Sequence, residues 1–165
     1  MSTSAEFVTD LKDNHDAEST ESVATILERE LPAVIQDWLA RAEHEPELNC
    51  VPLTFKERTG HLPLLLHDVI ARLRLNSAAP PPISEAAALH GELRRQQGYT
   101  VAMAVEESRQ LQVSIFTTLH KYIKHLDFAK LLPDIVTIAD EVDAQLKQQI
   151  VRFMAPDVAK PAKSK

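Results

Sequence analysis

The chain has 165 residues, 44% of them hydrophobic, and a formal net charge of -6. That length suits one domain with its own core, and the acidic balance excludes a nucleic-acid-binding surface, which needs clustered Lys and Arg. With 3 Gly and 5% aromatic residues, turn chemistry for a β-fold is scarce, so an all-α chain is expected. No apolar run reaches the roughly 18 residues of a membrane span, and the start MSTSAEFVTDLKD lacks the basic and apolar regions of a signal peptide. With Cys50 as the single cysteine, a cytoplasmic location without disulfides is the expectation.

Residues 1–20 read as a flexible acidic segment, 21–155 as a helical sensor or input domain, and 156–165 as a disordered basic tail carrying Lys160, Lys163 and Lys165. From Ser22 the apolar positions Val23, Ile26, Leu27, Leu31, Val34, Ile35, Trp38 and Leu39 recur at helical spacing. Pro32 lies inside that pattern, so the helix should bend or restart there. EPELNCVP reads as a loop, and Thr54 with Glu57 forms a capping box that opens a second helix through Leu75. Asn76 to Ile83, with Pro80, Pro81 and Pro82, is a stiff linker, after which Ser84 caps a short helix to Gln97. Gly98 should close that helix in the left-handed conformation, and Thr100 caps the next one. That next helix, Val101 to about Leu126, carries a seam at seven-residue steps through Val105, Gln112 and Leu119. The last helix is expected from Pro133 to about Met154, with Ile135, Ala139, Val142, Leu146, Ile150 and Phe153 on one face. The predicted architecture is a globin-like or up-down bundle of about five to six helices with a long C-terminal pair.

Chemistry concentrates at the corner around Gly98. His90, Arg94 and Gln97, spaced i, i+4 and i+7, form one row along the border of an apolar face. On the following helix Glu107 and Arg109 fall on opposite borders of the seam, so folding the corner brings a His90–Glu107 or Arg94–Glu107 hydrogen bond within reach. His90, Arg94, Gln97, Tyr99, Glu107 and Arg109 are therefore the candidate ligand or signalling cluster; the competing reading is that they only stitch two helices together. None of the seven histidines pairs at i+3 or i+4, so no metal site is expected. Dinucleotide, phosphate-loop, nucleophile-elbow and metalloprotease motifs are all missing, so no catalytic residues are assigned and no enzyme is expected. The two long helices present more apolar length than the short ones cover, which suggests a homodimer through them.

On Trp38, His90-Gly91, Arg94, Gly98-Tyr99, Glu107, Arg109, Leu111 and Ile115, the chain resembles the N-terminal domain family of the RsbT co-antagonist protein RsbRD over residues 23–154. The family usually has an aromatic residue where this chain has Ser108. The resemblance implies a bacterial, histidine-kinase-associated or stressosome-type input domain that passes a signal to an output kinase or regulator protein, here a fragment or a solitary domain acting in trans. It implies no cofactor, since the related domains are globin-like without haem. The alternative is a haem-based gas or redox sensor with His90 as iron ligand and His61 as distal residue, their separation being near that of haem globins. A structural dimerisation domain is the third reading.

Overall fold

The structure, a computed structural model, describes residues 20–75 and 80–155, so the expectations for the first 19 residues, for 76–79 and for the basic tail lie outside the described residues. The described chain is an all-α bundle: α1 (Val23–Arg29), α2 (Leu31–His44), α3 (Pro46–Asn49), α4 (Phe55–Thr59), α5 (Leu62–Leu75), α6 (Glu85–Gln96), α7 (Val101–Lys121) and α8 (Phe128–Met154), with a 3-10 turn at Ile123–His125. None of these helices is long and apolar enough to cross a membrane.

The helix starts follow local chemistry. Ser22, Thr54, Ser84 and Thr100 each accept a hydrogen bond from the backbone N–H three residues on, satisfying donors that a helix start leaves orphaned. Pro32 falls in the first turn of α2, so the amphipathic run restarts there, as a proline whose N–H is not needed allows. At the end of α6, Tyr99 N–H donates to Arg94 O and Gly98 N–H to Arg95 O at 3.0 and 3.1 Å. With Gly98 at φ 83°, this is a complete Schellman closure.

Several boundaries differ from expectation. EPELNCVP contains the single turn α3, and the helix predicted from Thr54 to Leu75 is broken into α4 and α5 around Gly60 and His61. The fourth predicted helix ends at Lys121, and the last begins at Phe128 because Asp127 caps it, Pro133 lying inside its opening turns. The inward face of α8 also differs: its buried residues are Ile138, Glu141, Val142, Gln145 and Gln149, while Leu146, Ile150 and Phe153 are half-buried.

The core joins α1, α2, α5, α7 and α8 through Ile26, Leu27, Val34, Trp38, Leu66, Val69, Ile115 and Ile138. Ile115 and Leu119, on the helix expected to face a second subunit, are 0% and 4% exposed and belong to this internal core, while Val101 and Val105 at its start are 38% and 43% exposed. Helices α6 and α8 meet closely at Gly91, where a Cβ would stand 2.2 Å from the Gln149 carbonyl oxygen. Only glycine permits that approach.

Candidate functional site

The corner assembles a buried polar network. Glu107, two turns into α7, is 3% exposed, and His90 and Arg94 on α6 are 3% and 1% exposed. Arg94 Nε donates to Glu107 Oε2 at 2.8 Å, His90 Nε2 lies 3.2 Å from the same oxygen, and the Tyr99 hydroxyl donates to Oε1 at 2.9 Å. The rest of the Arg94 guanidinium is satisfied by Gln97 Oε1 at 2.7 Å and by the backbone carbonyls of Glu57 and Arg58 at 3.1 and 2.9 Å. Its cationic carbon also sits 4.8 Å from the centre of the Tyr99 ring, a cation–π distance. One arginine thus ties the end of α4, the corner and α7 together.

The structure brings together His90, Arg94, Gln97, Tyr99 and Glu107 and leaves out Arg109, which is exposed and pairs with Glu106. Three further members lay outside the candidate cluster: Arg58, which the sequence did not single out, Trp38, named for the apolar pattern and the family resemblance, and His61, named only in the haem alternative. Arg58 is buried and donates to the carbonyls of Leu48 and Val51 and, at 3.4 Å, to the Tyr99 hydroxyl. Trp38 Nε1 donates to the Glu107 carbonyl at 3.0 Å. His61, in the break before α5, stacks on His90 with ring centres 3.6 Å apart and planes inclined by 21°. An arginine in a short helix carries no periodic signal, so nothing in the sequence marked Arg58 as a partner, whereas His61 was paired with His90 only in the haem alternative, through their separation along the chain.

Each ionisation follows from burial and neighbours. Burial holds His61 well below the ordinary 6.5, and the positive potentials of His90 and Arg94 lower it further. Burial also lowers His90, outweighing the opposite pull of its hydrogen bond to Glu107. For Glu107, burial would raise the carboxyl, but the His90 hydrogen bond and the Arg94 charge prevail and hold it below the usual carboxylate range. Burial and the neighbouring Glu107 charge keep the Tyr99 phenol protonated far above its ordinary range. The resting cluster is therefore an Arg94–Glu107 ion pair with two neutral imidazoles. Neutral His90 donates from Nε2 to the carboxylate, which leaves Nδ1 as a lone pair. That Nδ1 and His61 Nε2 are buried with no hydrogen-bond partner among the described residues, an arrangement with a free-energy cost.

A cavity of about 10 Å³ opens beside these rings, lined by His61, His90, Glu107, Leu65, Val142 and Gln145 among others; it has room for one water-sized particle. His61, His90 and Glu107 each aim a potential ligand atom into this region, all three within 4.8 Å of one another. The expectation of no metal site rested on spacing within single helices, whereas these ligands come from three segments of chain. With the two rings in van der Waals contact, a haem between them would require α5 and α6 to part. No family model, no curated protein and no solved structure matches this chain.

Proposed function

We propose that this chain is a non-catalytic signal-transduction input domain in which the buried cluster sets the placement of the final helix. The observation that carries this reading is the adjacency of His90 and Gly91: His90 faces Glu107 inside the cluster, while Gly91 lies directly against the Gln149 backbone. A shift of His90 of even a few tenths of an ångström is passed to α8 with no compliant side chain between. Packed interfaces respond to such shifts by changing arrangement. The cavity of about 10 Å³ beside the cluster admits no organic substrate.

Amide hydrogen exchange on His90→Gln tests the proposal. A lever at Gly91 predicts altered protection concentrated in 145–154 of α8, with α1 and α2 unchanged. Uniform change across the bundle would mean that the cluster is architectural only. A homodimer remains part of the reading, but on the outer face of α8, where Phe128, Leu132 and Val136 are 68%, 68% and 61% exposed at successive i+4 positions. Light scattering of Leu132→Glu checks it, a dimer unaffected by the charge placing the interface elsewhere. The output partner would be a kinase or regulator protein that reads α8.

A further inference from the structure

We infer that His61, His90 and Glu107 form a binding site for one divalent transition-metal ion of the zinc class. The donor set is two imidazoles and one carboxylate, a combination that holds zinc with an open fourth position. His90 Nε2 and Glu107 Oε2 stand 3.2 Å apart, close to the roughly 3.4 Å edge of a tetrahedron with metal–ligand arms of about 2.1 Å. The third donor, from His61, lies within 4.8 Å of the other two ligand atoms, so a movement of His61 of at most about 1.4 Å completes the face. His61 Nε2, buried without a partner, is the atom for which the folded chain has no other use.

The surroundings suit an ion. Glu107 is oriented from both sides, by Tyr99 on Oε1 and Arg94 on Oε2, the kind of outer hydrogen bonding that fixes metal ligands. The cavity of about 10 Å³ lies at the three side chains, and His61 is the one ligand residue that is not fully buried. An ion entering between Nε2 and Oε2 takes the place of the hydrogen shared by His90 and Glu107; that proton moves to Nδ1, so the ring stays a neutral imidazole with its Nε2 lone pair directed at the ion. Arg94 retains the carbonyls of Glu57 and Arg58 and the Gln97 side chain, so it stays satisfied if its hold on Oε2 loosens.

The test is titration of the full-length chain with zinc by calorimetry and with cobalt by visible absorption. It does not depend on the signalling reading, because ion binding is read directly. The wild type should bind one ion per chain, with the intense bands of a low-coordinate cobalt site. His61→Phe, which keeps a ring stacked on His90 and removes the donor, should weaken binding at least tenfold while circular dichroism stays that of the wild type. His120→Ala, at an exposed position, should leave it unchanged. The absence of stoichiometric binding by the wild type would overturn the inference. So would wild-type affinity in His61→Phe, or loss of binding in His120→Ala. If His61→Phe fails to fold, His61→Ala and His61→Asn carry the same expectation.

Discussion

Replacing Gly91 by alanine isolates the contact that couples α6 to α8. A methyl group there would stand 2.2, 2.8 and 2.9 Å from the carbonyl oxygen, carbonyl carbon and Cα of Gln149. All three are backbone atoms, so no rotamer change can relieve the overlap and the helices must separate by about 1 Å. A gap of that size forfeits a quarter to a half of each dispersion contact along the seam. Overpacking of a close interface costs about 1–3 kcal/mol, and the backbone-on-backbone contact puts this case at the upper end. Alanine returns about 1 kcal/mol through its better helix propensity. The expected net loss is about 2 kcal/mol, which for a domain of this size lowers Tm by about 4–8 °C. Urea denaturation followed by circular dichroism measures the loss, and amide exchange locates it in α6 and α8. A Gly91→Ala variant as stable as the wild type would refute the close approach, and with it the mechanical route from His90 to the final helix.

Glu107→Gln leaves Arg94 charged and 1% exposed without its carboxylate and should cost about 3–5 kcal/mol; a loss below about 1 kcal/mol in denaturant would show that the ion pair is dispensable. Because burial lowers His61 and His90 relative to the ordinary 6.5, the unfolded chain binds protons that the folded chain refuses. Their contribution is thus complete above pH 6.5 and lost as pH falls below it. The depressed Glu107 carboxyl adds a second decline below its ordinary 4.5. Denaturation midpoints at pH 7.5, 6.5 and 5.5 should therefore fall, and fall less in His61→Phe; a flat profile would contradict the assignment of neutral rings. At Gly98 a Cβ meets nothing within 4 Å, yet φ is 83°, so Gly98→Val should lose about 1–2 kcal/mol from backbone strain alone, a value that wild-type thermal stability would disprove. Ile115→Glu places a charge in the monomer core and should prevent folding; a folded monomer would show that α7 does form a subunit interface.

The helix-forming tendency, the caps at Thr54, Ser84 and Thr100, the restart at Pro32 and the Gly98 closure were legible in the sequence, because each depends on residues within one turn of one another. For the same reason the corner could be read locally: His90, Arg94 and Gln97 share one helix face, and Glu107 follows shortly after the turn, so Arg94 and His90 do reach the carboxylate. What tertiary packing alone decided is which distant groups complete that site. Nothing local distinguishes His61 or Arg58 from a solvent-facing residue; they enter the cluster because the break between α4 and α5 turns them under α6. Nor does the apolar periodicity of α8 foretell that Gln145 and Gln149 are buried. They face inward because Gly91 draws α8 onto α6 and because the Leu65 carbonyl accepts from Gln145 Nε2 at 3.1 Å. Local structure depends on short-range sterics and hydrogen bonds that a few adjacent residues encode. The site depends on contacts between segments tens of residues apart, whose geometry exists only once the helices are packed.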